Sequence, residues 1–155
     1  MDITAFDTLE WTHLQDMDGF GYPIDYWVAI PGMRDDGHID LLFRWEPDRY
    51  CHFHRHIAHT TSVVLQGQLT VIDTAAGKEV GRRVRGAGDY SQTPQGDVHM
   101  ELGGPEGALV LFNLYAPDGV LFEMLDLEEN VLMPVSIDDV LGGALGVKEQ
   151  PAALG

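Results

Sequence analysis

Apolar and polar residues alternate in short runs along most of this chain. The segments Ile24 to Ile30, His38 to Trp45, Leu69 to Asp73, Val80 to Val84, Val98 to Leu102, Ala108 to Leu114 and Val120 to Leu125 are rich in Val, Leu and aromatic residues, the pattern of half-buried strands. Between them stand Pro31-Gly32, Asp36-Gly37, Ala76-Gly77, Gly86-Ala87-Gly88, Gly103-Gly104-Pro105 and Asp118-Gly119, which supply turn chemistry at near-regular intervals. Many short strands so spaced predict an all-β sandwich or barrel, because each strand must bury one face against another sheet. The same spacing rules predict one short helix near the C-terminus. Ser136 can cap it, Asp138 and Asp139 complement the dipole of its first turn, and Gly142-Gly143 stops it. Residues 147–155 combine small residues with Pro151 and read as a flexible tail behind a single domain over 1–146.

Composition narrows the function classes. Nine Lys and Arg against 25 Asp and Glu give a net charge of −16, which repels phosphate backbones, so no nucleic-acid partner is expected. The single cysteine, Cys51, excludes an internal disulfide and fits a reducing compartment. The first residues carry acid where a signal peptide carries base, and no apolar run approaches the ~18 residues of a membrane span. The expectation is a soluble cytoplasmic protein with a small-molecule partner and no membrane contact.

Chemistry concentrates in one place. Four of the seven histidines, His52, His54, His56 and His59, fall within nine residues, Cys51-His-Phe-His-Arg-His-Ile-Ala-His59. Along a strand, residues i and i+2 share a face, so His54 and His56 can aim both rings at a barrel interior, with His52 joining them if the strand runs straight. Two imidazoles make half a metal site, and a third ligand from a neighbouring strand completes one face of an octahedron with open positions opposite. Glu101 shares strand parity with His99, as a cavity base, a water-bridged ligand or a solvated rim residue. Arg44 fits either a clamp for a substrate carboxylate or a surface ion pair. Cys51 reads as a small buried apolar side chain. Trp11, Trp27, Trp45, Phe43, Phe112 and Tyr115 are expected in the core and cavity wall.

These residues resemble the two motifs of the cupin superfamily. The first, G-x5-H-x-H-x3,4-E-x6-G, is met by Asp48, His54, His56, Thr60 and Gly67, with Asp in place of the first Gly and Thr60 in place of the acid. The second, G-x5-P-x-G-x2-H-x3-N, is met by Gly88, Pro94, Gly96 and His99, with Gly103 in place of the final Asn. The motif core spans 48–103, and the likeness extends over roughly residues 40 to 115. It implies a double-stranded β-helix, the jelly-roll barrel, often paired as a homodimer, holding a divalent metal on His54, His56 and His99. His59 and Thr60 would stand beside those ligands, His59 being also a candidate fourth nitrogen.

Three histidines without the acid resemble the subgroup that includes acetylacetone-cleaving, dihydroxyacetophenone and thiol dioxygenases. Arg44-Trp45-Glu46-Pro47 and Val64-Leu65-Gln66-Gly67 read like the phrasing of the acetylacetone dioxygenase group. The resemblance implies an Fe(II) dioxygenase cleaving a carbon–carbon bond of a small diketone or hydroxyketone. Three neutral imidazoles would leave the metal its double charge and so favour an anionic enolate. Three imidazoles also suit Zn, Ni or Mn. A non-catalytic, regulatory metal-binding cupin with a Zn-type site is the alternative, and a Lewis-acid isomerase or hydrolase a third.

Overall fold

The strand pattern organises nearly the whole of the computed structural model, which describes residues 5–16, 19–144 and 146–152. Eleven strands are β1 (Trp11–Asp16), β2 (Ile24–Met33), β3 (His38–Trp45), β4 (His54–His56), β5 (His59–Ala75), β6 (Lys78–Gly86), β7 (Tyr90–Thr93), β8 (Val98–Tyr115), β9 (Val120–Leu125), β10 (Val131–Ser136) and β11 (Val147–Lys148), with α1 (Ile137–Leu141) between the last two. Strand pairing runs β10-β9-β4-β8-β3-β2-β1-β11, and β5 pairs with β8, β6 and β7. Every named pair is antiparallel. Beside β5, the long strand β8 first meets β4, where His99 faces His54, and then β3, where Ala108 to Tyr115 pair Trp45 to His38. The result is a curled all-β sheet of the jelly-roll kind with the short C-terminal helix expected.

Alternation decides which side chains fill the curl. Ile39, Leu41 and Trp45 of β3, Ile24, Tyr26 and Val28 of β2, and Val110, Phe112 and Leu114 of β8 are buried in one interior cluster. The intervening positions Trp27, Ala29, Leu42 and Leu109 form a second buried cluster with Trp11 on the outer face. Both faces of this part of the sheet are therefore apolar. Tyr115, expected in the core, is instead 38% exposed and stacks on His38.

Two expected turns and one strand bound differ in the structure. Pro31-Gly32 lies within β2, where the register with β3 shifts between Ala29 and Gly32. Gly103-Gly104-Pro105 lies within β8, which bulges together with β5: Gly67 pairs Ala108 and Leu69 pairs Gly103. The strand expected over Leu69 to Asp73 is the far part of the 17-residue β5. At Gly103 a Cβ would sit 2.7 Å from Trp45 Cβ and 2.8 Å from the Glu46 carbonyl, so no larger residue fits there. Asp48, the other departure from the motif, takes the left-handed backbone a motif glycine would supply, at φ 56°.

The C-terminal helix has the cap read from the sequence. Ser136 Oγ accepts the Asp139 amide at 3.1 Å, and Asp139 Oδ2 accepts the Ser136 amide at 2.8 Å. Val147 and Lys148, expected at the start of a loose tail, pair with His13 and Thr12 of β1. Residues 153–155 of that tail, and the first four of the chain, lie outside the described residues. Among the described residues no helix is long and apolar enough to cross a membrane.

Candidate metal centre

His54 and His56 stand on β4 with one residue between them, so both rings project into the barrel, and antiparallel pairing with β8 brings His99 opposite His54. All three are buried, at 7%, 1% and 2% exposure. Their Nε2 atoms converge: His54 to His56 is 3.1 Å, and His56 to His99 is 3.1 Å.

The far nitrogens explain why these rings turn that way. His54 Nδ1 donates to the His52 carbonyl at 2.8 Å. His99 Nδ1 donates to Asp97 Oδ2 at 2.9 Å. Thr60 Oγ1 gives its own proton to the Ala58 carbonyl at 3.2 Å and so accepts from His56 Nδ1 at 3.0 Å. Each ring thus has its Nδ1 proton committed outward and its Nε2 directed inward, as a lone pair on the neutral rings of His54 and His56. Between His54 and His56 there is no proton left to share, and lone pairs that face each other call for a cation. Two nitrogens bound at right angles, each about 2.1 Å from one ion, lie about 3.0 Å apart, and a tetrahedral pair about 3.4 Å apart. The observed 3.1 Å spacings fit a shared divalent ion, and the three residues form a group able to hold one.

Titration follows the same geometry. Burial, then the neighbouring His99, pushes His54 down to about 4. Burial together with His54 and His99 holds His56 well below its ordinary value. Burial opposes charge on His99 too, but hydrogen bonds to Asp97 and Glu101 outweigh it and raise this ring to about 9. Burial likewise opposes charge on Glu101, yet its bond to His99 and the surrounding rings bring it down to about 2.

The other candidates divide clearly. Glu101 is in the site: it is 3% exposed, with one oxygen 3.4 Å from His99 Nε2 and the other 4.0 Å from His54 Nε2. Cys51 is buried behind it, and its thiol donates to Glu101 Oε2 at 3.6 Å. Burial, then the Glu101 carboxylate, pushes that thiol's pKa well up, so it stays protonated. Thr60 is buried and serves as the acceptor for His56 rather than facing the Nε2 atoms. His59 is exposed, outside the cluster. Arg44 lies on the outer face of β3, paired with Trp27 and Leu109, and its guanidinium donates to the Ala152 carbonyl at 2.5 Å, so it does not reach the centre. His52 lies outside β4, where its Nδ1 accepts from the Tyr26 hydroxyl at 2.7 Å. Burial, then the charge of His54, lowers His52 to about 4.

Sequence reasoning missed Asp97, Tyr26 and Phe122. Asp97 carried a usable signal, since it shares parity with His99 two residues on. Phe122 packs edge-on against His54 and His56, with ring centroids 5.3 Å away in each case, and nothing in the local sequence around β9 marks that contact. A cavity of about 270 Å³ opens beside His54 and Phe122. Its wall is mostly apolar, with Val28, Phe43, Met124 and Leu141 among the lining residues, while Glu10 and Lys148, paired at 2.8 Å, are exposed residues at its edge.

No family model matches the chain, and no curated protein sequence matches it. Solved structures do match in fold. An acetylacetone dioxygenase from Acinetobacter johnsonii superposes with a TM-score of 0.66 at 12% identity, over 92% of this chain and 88% of its own. An RmlC-like cupin from Ralstonia eutropha JMP134 gives 0.68 at 12% identity, over 94% and 85%. A polyketide cyclase from Streptomyces resistomycificus gives 0.56 at 17% identity, over 74% and 78%. One fold is common to proteins of quite different reactions.

Proposed function

We propose that this chain, a cupin by fold, is an Fe(II)-dependent dioxygenase that cleaves a carbon–carbon bond of a small 1,3-diketone or hydroxyketone with apolar substituents. The observation that carries the reading is the convergence of three inward-facing Nε2 atoms beside an apolar cavity. His54, His56 and His99 would hold the iron, and iron so held supplies Lewis acidity to a chelating enolate and redox access to dioxygen. The chain's own residues do the rest. The His52 carbonyl, Thr60 and Asp97 fix the three rings, so no ligand must reorient when substrate arrives. Val28, Phe43, Phe122 and Met124 exclude water and favour alkyl or aryl groups on the substrate.

For a 1,3-diketone the balance closes without an external reductant: one carbon–carbon bond breaks, and both atoms of dioxygen enter the products, a carboxylic acid and a 2-oxoaldehyde. The likeness in fold to an acetylacetone dioxygenase supports this reading, and the polyketide cyclase on the same fold shows why the site must be tested directly. The test is oxygen uptake by protein loaded anaerobically with Fe(II), against 1,3-diketones of increasing alkyl and aryl size. The expected result is one dioxygen consumed per diketone cleaved, abolished by His56→Ala. Iron-loaded protein that consumes no oxygen with any member of the series would refute the reading.

A further inference from the structure

We infer that Glu101 is the carboxylate ligand of this centre, supplied from β8 in place of the acid that position 60 lacks. The inference rests on the reading of His54, His56 and His99 as metal ligands and adds a fourth donor to them. Thr60 cannot take the role, because its one oxygen is already engaged by His56 Nδ1 and the Ala58 carbonyl. Glu101 follows His99 by two residues along β8, so both side chains leave the same face of the strand. That places its carboxylate 3.4 Å and 4.0 Å from the inward nitrogens of His99 and His54, against 3.1 Å between the nitrogens themselves.

A carboxylate this deeply buried needs a cation, a part that the His99 ring plays here and that a divalent ion bound to His99 Nε2 would take over. Among the described residues no lysine or arginine pairs with it, and its close partners are His99 and the Cys51 thiol. Cys51 bonds Oε2, while Oε1 is the oxygen that approaches His99. Donor atoms of Cys51, His54 and Glu101 lie within 4.8 Å of one another, so this set and the three-histidine set meet at His54. A divalent ion placed among the Nε2 atoms would therefore have Glu101 Oε1 within a small side-chain rotation of its reach.

The consequence concerns charge and hence substrate. With three neutral imidazoles alone, the centre would keep two positive charges, whereas a Glu101 ligand leaves one. A centre of that charge is neutralised by a single enolate and disfavours dianions such as dicarboxylates. The apolar wall of the adjoining cavity points the same way.

Zn(II) serves as the probe, since neither oxygen nor substrate is then involved. Affinity is measured by competition with a chromophoric chelator for the parent and for Glu101→Gln, which keeps the side chain's shape. Infrared difference spectra of the parent with and without Zn(II) supply a second readout that needs no variant. The expected result is at least about a 10-fold loss of affinity in Glu101→Gln, and a carboxylate stretch displaced by Zn(II) in the parent. Equal affinities, or a difference spectrum without a displaced carboxylate band, overturn the inference and leave the three-histidine reading standing. A parent that takes up no Zn(II) overturns both.

Discussion

Thr60→Val deletes one oxygen from the centre without changing the side chain's shape. Thr60 is 3% exposed, and its hydroxyl makes two bonds, accepting from His56 Nδ1 and donating to the Ala58 carbonyl. Each is worth about 1 kcal/mol net, and leaving a buried partner unsatisfied adds about 1–3 kcal/mol. Local relaxation offsets part of this, so the metal-free variant should lose about 2–4 kcal/mol of stability. His56 has one escape: it can move its proton from Nδ1 to Nε2, which then points at the His54 and His99 nitrogens and is no longer a lone pair. Metal must displace that proton, so affinity should fall by about 10–100-fold, or about 1.4–2.8 kcal/mol. Chelator competition and urea midpoints of the metal-free protein measure the two effects separately. Thr60→Ser retains the oxygen and should bind metal nearly as the parent does. If the Val and Ser variants bind metal equally well, the hydroxyl does not set the tautomer of His56, and the account of inward lone pairs fails.

Two further predictions come from outside the ligand set. Restoring the motif residue with Gly103→Asn should destabilise the protein, because a Cβ there meets Trp45 Cβ at 2.7 Å and the Glu46 carbonyl at 2.8 Å; a urea midpoint equal to the parent's would show that the strand can yield. His13 bridges Asp25 and Glu149 at 2.6 Å each, and although burial works against its charge, these bonds outweigh burial and raise its pKa above 6.5. A folded-state pKa above the unfolded one means that its contribution is complete below about pH 6.5 and is lost as pH rises through the raised value. The parent should lose stability across that alkaline limb and His13→Gln should lose less, so parallel pH profiles would contradict the bridge.

The strands dense in buried apolar residues were legible, and the short or exposed ones were not. β3 and β9 carry the bounds expected, since each is dense in buried apolar residues, Ile39, Leu41, Leu42 and Trp45 in one and Leu121, Met124 and Leu125 in the other. β1 was missed because Trp11 packs outward and Leu14 inward, which erases a simple two-residue period. β10, with Pro134 in it, and β7 are largely exposed and carry little apolar signal. In the site, His54 and His56 declared themselves by parity and His99 by its motif spacing. The place of Arg44 depended on which face of β3 turned inward, and Phe122 on the pairing of β4 with β9, facts of register that local pattern does not encode.

The smallest strand has a consequence for how the molecule is made. β4 is three residues long, too short to persist alone, and it is held by β8 on one side, through His54 and His99, and by β9 on the other, through His54 and Met124. On a chain growing from the ribosome, the two histidines of β4 therefore stay unorganised through the synthesis of some seventy further residues, until β9 can close over them. Such distant pairings make for slow, late assembly. A metal bound at this centre would then be captured after folding rather than guide it, the reverse of small zinc-nucleated domains, and the nascent chain would have no finished centre with which to seize the wrong ion.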